Sequence, residues 1–187
     1  MSTPQPQADP RTDPLLAIRC QLGERGAFDA LIARWHAPLW RYLKRMADTE
    51  DATADLMQDT WLRVLRGIHS LRDPERLRPW LFGIARRVAM DRLRFAYSRR
   101  TDDATVLEEI SAPDPDADLA ADLASLESHM ETLPVRERET LALFYLREFT
   151  IDEMAALLGV PPGTVKSRLF RARELLRQKF QQAGATI

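Results

Sequence analysis

Cysteine is almost missing. Cys20 is the only one in 187 residues, which excludes a disulfide within the chain and a thiolate zinc site. Histidine is nearly as scarce. His36, His69 and His129 are scattered, and none stands at metal-ligand spacing from another histidine, a cysteine or a carboxylate motif. The seven glycines form no phosphate-cradling loop. Cys20 carries no nucleophile signature and falls in an apolar-patterned stretch where packing accounts for it. These absences argue against an enzyme and require neither cofactor nor metal. No apolar run approaches the roughly 20 residues that cross a bilayer; the longest lies near 141–146. The N-terminus has no basic-then-apolar leader pattern. A cytoplasmic protein without membrane insertion is expected.

Net charge is also absent in bulk: 27 Lys and Arg oppose 28 Asp and Glu. The distribution is far from neutral. Between Arg72 and Arg100 nine arginines face only Asp73, Glu75 and Asp91. From Thr101 to Glu131 there is no lysine or arginine, while ten carboxylates accumulate. From Lys166 to Lys179 the sign turns positive again. Two basic blocks separated by an acidic strap is a pattern that net charge hides.

Hydrophobic periodicity is helical throughout, with no period-two alternation strong enough for a sheet. The fold class expected is all-α, as two small helical domains joined by an acidic flexible linker. Residues 1–14, rich in Pro, Gln, Ser, Thr and Asp, have little to bury and read as a disordered tail. The first domain spans 15–100. Phe28, Leu31, Ile32, Trp35, Leu39, Tyr42, Leu43 and Met46 form one stripe, in which Pro38 predicts a bend. A helix over about 52–68 follows, then a loop over Asp73–Pro79, then a helix with Trp80, Leu81, Ile84, Val88 and Leu93 inward. The linker covers 101–118. The second domain covers 119–187, with helices to Leu133 and from about Pro134 to Arg147.

The most specific local pattern is Thr150 to Arg173. Thr150 and Glu153 have capping-box spacing, and Met154, Ala155 and Leu158 share a face. Gly159 suits a left-handed helix end. Pro162 suits the first turn of a second helix, whose Val165, Leu169, Ala172 and Leu176 form the buried line. Thr164, Lys166, Ser167, Arg168, Arg171 and Arg173 are left on the other sides. Two short helices around a tight turn, the second one basic, is how a chain lays a helix in the DNA major groove.

Three strings, in this order, extend that reading: Ala54-Asp-Leu-Met-Gln-Asp-Thr-Trp-Leu-Arg-Val64, Pro79-Trp-Leu-Phe-Gly-Ile-Ala-Arg-Arg-Val-Ala-Met-Asp-Arg-Leu-Arg94, and Gly159-Val-Pro-Pro-Gly-Thr-Val-Lys-Ser-Arg-Leu-Phe-Arg-Ala-Arg-Glu-Leu-Leu176. From about Gly23 to Phe180 the chain resembles the bacterial extracytoplasmic-function (ECF) sigma factors of the sigma-70 family. The resemblance implies binding to core RNA polymerase, through its beta-prime clamp and beta flap, and direction of it to promoter DNA. It assigns clamp binding to Asp55, Leu56, Gln58, Asp59, Leu62 and Arg63, although Leu56 and Leu62 also suit a helix core. It assigns capture of the melted −10 element to Arg76, Leu77, Arg87, Asp91 and Arg94. Phe95 and Tyr97 suit either packing or base stacking, and Trp80 reads as core. The −35 duplex falls to Thr164, Lys166, Ser167, Arg168 and Arg171. The acidic linker would thread toward the polymerase active site and RNA exit path, or serve only as a solvated tether. An anti-sigma factor is the usual regulatory partner.

The chain departs from the family in three places. Where the family writes Asp-Ala-Glu-Asp, this chain has Ala52-Thr-Ala-Asp55, with Glu50 and Asp51 one turn earlier. A phosphate on Thr53, added by a Ser/Thr kinase, would return negative charge to that surface; Thr49 and Thr60 are lesser candidates. Arg87 stands where asparagine is common, and Pro161 where a serine cap is usual. The rival reading is a helix-turn-helix repressor or activator that works without polymerase. It accounts for the C-terminal half and leaves the Arg72–Arg100 block and the Asp55–Arg63 string unexplained.

Overall fold

The structure is a computed structural model that describes residues 12–100, 129–147 and 149–182. The expected tail, the acidic linker and the start of the second domain therefore lie outside the described residues, apart from Thr12 to Pro14. The helices are α1 (Thr12–Gln21), α2 (Ala27–Lys44), α3 (Glu50–Gly67), α4 (Leu77–Arg100), α5 (Val135–Arg147), α6 (Ile151–Leu158) and α7 (Pro162–Gln182). Among the described residues there is no strand, so the molecule is all-α. The chain divides into two compact units, 1–89 and 90–187.

In the first unit α2 supplies the central stripe. Leu31, Trp35, Leu39, Tyr42 and Leu43 are buried, and the helix runs on through Pro38 to Lys44. Phe82 of α4 meets Trp35 and Tyr42 edge-on, with ring centroids at 6.3 and 5.4 Å. Leu56, Met57 and Val64 close the core from α3. The helix α1 packs on α2, and Gln21 Nε2 donates to the carbonyls of Ile68 (3.0 Å) and Leu71 (2.6 Å). That ties α1 to the chain between α3 and α4. Trp80, read as core, is half-buried; its ring lies against Gly67, where a Cβ would stand 3.4 Å from it.

Four expectations meet a different structure here. The stretch Asp73–Pro79 is not a loop. The Asp73 side chain accepts from Glu75 N–H, a 3₁₀ turn spans Pro74–Arg76, and α4 begins at Leu77. Pro79 then sits in the first turn of α4, where a missing N–H costs no helical bond. As a result Leu77, expected at the −10 element, joins Leu81, Ile84, Ala85 and Val88 on the buried line, with its side chain out of solvent. Leu56, assigned by resemblance to the clamp face, is likewise buried in the core. Thr53, the proposed phosphosite, is only 1% exposed and its hydroxyl already donates to the Thr49 carbonyl at 2.9 Å. Thr60 is just as buried, bonded to the Leu56 carbonyl at 2.7 Å. A kinase has no access to either hydroxyl while α3 is folded.

In the second unit the capping box is complete. Thr150 Oγ1 accepts from Glu153 N–H at 3.2 Å, and the Glu153 carboxylate accepts from Thr150 N–H at 2.8 Å. Gly159 ends α6 at φ 67°, a conformation that a Cβ disfavours. Pro162 opens α7 as the sequence predicts, and the Pro161 carbonyl accepts from Thr164 and Val165 N–H. Met154, Leu158, Val165, Leu169 and Ala172 pack with Leu141, Leu143 and Phe149 into one core.

Thr150→Ala is expected to lower stability by about 1 kcal/mol through loss of the cap. Gly159→Ala should cost about 1 kcal/mol through the left-handed backbone. Both are read by urea denaturation. Thr53→Glu should cost about 3 kcal/mol, because a carboxylate enters a sealed position without a partner, whereas an exposed phosphosite would tolerate glutamate within a few tenths of a kcal/mol. The same denaturation curves distinguish the two cases.

Candidate nucleic-acid and partner interfaces

The buried line of α7 decides which of its side chains face outward. With Val165, Leu169 and Ala172 turned inward, two rows remain on the far side at helical neighbour spacing: Thr164, Ser167 and Arg171, and Lys166, Phe170 and Arg173. Lys166, Ser167, Phe170, Arg171 and Arg173 are all exposed, and Thr164 and Arg168 are partly so. Ser167 Oγ donates to the Thr164 carbonyl at 2.9 Å. The structure thus gathers the five residues predicted for duplex contact at the N-terminal half of one helix. The sequence reading missed Phe170, which is 68% exposed in the middle of this basic face. Its register against Val165 and Leu169 was the signal that places it outward.

Two arginines on α7 have partners on α5. Arg173 Nε donates to the Tyr145 hydroxyl at 2.9 Å, and its guanidinium lies over the rings of Phe144 and Tyr145 at 5.6 and 5.5 Å. Arg171 Nε lies 3.6 Å from a carboxylate oxygen of Glu137.

On α4 a second basic face stands clear of the core. Arg87, Asp91 and Arg94 share one line and are exposed, beside Phe95 at 63% exposure. Arg94 pairs with Asp91 at 2.7 Å; an ion pair this exposed contributes little to stability and leaves the arginine available. Arg76 stands apart on the preceding 3₁₀ turn, 3.8 Å from Asp73. The side chain of Tyr97 lies outside the described residues.

On α3 the outward face has a different character. Asp55, Gln58, Asp59 and Arg63 are exposed, with Arg63 Nη2 3.8 Å from Asp59. Leu62 and Leu65 remain 41% and 51% exposed between them. Leu65, one turn beyond Leu62, was not singled out by the sequence. Glu50 and Asp51 are exposed in the first turn. Ala52 and Thr53 face inward, so of the residues replacing the family's acidic string only Ala54 and Asp55 reach the surface.

Cys20 is buried, and burial pushes its thiol above the ordinary value against a smaller pull from Arg19, the opposite of an activated nucleophile. Among the described residues no group of three or more His, Cys, Asp or Glu is arranged to hold a metal ion. No described helix is long and apolar enough to cross a membrane.

Known proteins resemble this chain over most of its length. Residues 31–99 match the model of Sigma-70 region 2, and residues 123–176 match that of Sigma-70, region 4. The ECF RNA polymerase sigma factor SigC of Mycobacterium tuberculosis is 33% identical over 162 residues, covering 86% of this chain and 87% of that protein. The ECF RNA polymerase sigma-E factor of Escherichia coli is 30% identical over 184 residues, covering 91% and 95%. Among solved structures, the sigma factor RpoE in complex with the anti-sigma factor NepR from Bartonella quintana superposes with a TM-score of 0.72 at 26% identity, covering 83% of this chain and 98% of that one. CnrH in complex with the cytosolic domain of CnrY gives 0.68 at 26% identity, covering 91% and 97%. Two regions matched in order, by relatives that align over most of their length, leave one conclusion: the chain belongs to the ECF sigma factors of the sigma-70 family.

Proposed function

We propose that this chain binds core RNA polymerase through the outer face of α3, captures the −10 element along α4, and reads the −35 duplex with α7. The observation that carries the reading over a polymerase-independent repressor is the α3 face. Leu62 and Leu65 stay in solvent among Asp55, Gln58 and Asp59, the mixed apolar and acidic composition of a separable interface. A duplex-binding repressor has no use for such a face, on which the exposed acids Glu50, Asp51, Asp55 and Asp59 outnumber the arginines Arg63 and Arg66. On α4, Arg76, Arg87 and Arg94 neutralise phosphates of the melted strand, and Phe95 offers a plane on which a base can stack. On α7, Lys166 and Arg168 take phosphates, Thr164 and Ser167 approach base edges, and Phe170 meets a thymine methyl.

Control follows from the same surface. An anti-sigma factor that covers the α3 leucines would prevent clamp binding, in keeping with the similar sigma factor RpoE, which was solved in complex with the anti-sigma factor NepR. Phosphorylation at Thr53 is not part of this reading. The chain acts in the cytoplasm, where the polymerase is.

Two outcomes test the proposal. Leu62→Asp with Leu65→Asp should abolish co-elution with bacterial core polymerase while circular dichroism stays unchanged, since both positions are solvent-facing. Retained co-elution would refute the α3 interface. Lys166→Ala should weaken holoenzyme binding to promoter fragments of every sequence alike, and lower the slope of log affinity against log salt by about 1. Filter binding at several salt concentrations reads it.

A further inference from the structure

We infer that Glu137 of α5 is a positioning residue for DNA readout: it holds Arg171 of α7 in the pose that engages the −35 duplex. The inference deepens the promoter reading above and rests on it. The pair is asymmetric. The Glu137 side chain is only 9% exposed and that of Arg171 is 70% exposed, with 3.6 Å between Nε and the carboxylate. Of the two, the acid is the fixed member. It sits in the first turn of α5, at the positive end of the helix dipole, next to Arg138, whose Nη1 donates to the Glu131 carbonyl at 2.7 Å and pins that turn. The arginine is the long, solvated member, and it hangs from this anchor.

The approach is through Nε, on the stem side of the guanidinium. The two terminal Nη groups therefore remain the outermost donors, on the row that also carries Thr164 and Ser167. Those are the donors a guanine edge or a phosphate takes up in pairs. An untethered arginine gives up rotamer freedom when it binds. One already leaning on a fixed carboxylate gives up less, and it offers its fork in one direction. Arg173 has its own support from Tyr145 and Phe144, so α5 orients both rows of the outward face by two different chemistries. Glu137 was not among the sequence candidates because its partner lies 34 positions on.

The test uses the full chain assembled with bacterial core polymerase. One duplex carries the −35 segment of the promoter that the wild-type holoenzyme transcribes best, and a second carries the same segment scrambled. Glu137→Gln keeps the shape and removes the charge. It should lower affinity for the first duplex about tenfold, the scale of one guided contact. Affinity for the scrambled duplex and the salt slope should stay unchanged, because the DNA still meets the same number of cations. In an Arg171→Gln background the same change should have no further effect. An unaltered preference between the duplexes overturns the inference. So does tighter binding to both, which would make Glu137 a mere source of repulsion. So does an equal loss in the Arg171→Gln background accompanied by a lower melting temperature, which marks a purely structural role. If the wild-type holoenzyme shows no preference for any −35 segment, the promoter reading itself fails and the inference falls with it.

Discussion

The constraint on which the rest depends is that each working helix must bury one face and spend the other. On α7 the inward line of Val165, Leu169 and Ala172 is packed against Leu141, Leu143 and Phe149. That packing, not the charge itself, determines that Lys166, Ser167, Phe170 and Arg171 emerge together. A rotation of one residue position, about 100° on a helix, would bury the basic rows and expose the leucines. The capping box at Thr150 and the left-handed Gly159 fix where α6 stops and so where α7 begins. The outward register is therefore set by a cap and a turn that touch no ligand.

The same division of faces operates on α3 and α4, with different results. On α3 the buried line of Leu56, Met57, Thr60 and Val64 leaves acids and two leucines outside. On α4 the buried line from Leu77 to Val88 leaves arginines and Phe95 outside. An acidic and apolar surface and a basic and aromatic surface on one chain differ in the chemistry of the partner each would suit, a protein for the first and a nucleic acid for the second in the function proposed above. The near-zero net charge is the sum of these surfaces and describes neither.

Much of the fold was legible because its signals are local. Thr150 and Glu153, Gly159, Pro162 and the Val165–Leu169–Ala172 line all act within a turn or two, and each behaves as its spacing implies. The stretch at Asp73–Pro79 misled because two prolines suggest irregular chain, whereas Asp73 with Pro74 starts a turn and Pro79 falls in a position that tolerates it. Leu56, Leu77 and Thr53 were matched to roles by alignment to a family string, which fixes position along the helix and not which side is buried. The residues that were overlooked were of two kinds. Phe170 and Leu65 are apolar, and an apolar residue is assumed to be inside until the register is known. Glu137 and Tyr145 act through contacts with α7 that only the folded chain creates.

The central claim is that specificity belongs to the chain and core polymerase together. Its most direct test is to transcribe bacterial genomic DNA with core polymerase in the presence and absence of this protein, and to sequence the 5′ ends. A new set of start sites is expected that share two spaced upstream elements and vanish without the chain, while the chain alone shows little preference among DNA duplexes. Sequence-specific duplex binding by the isolated chain, with no new start sites when polymerase is added, would contradict it.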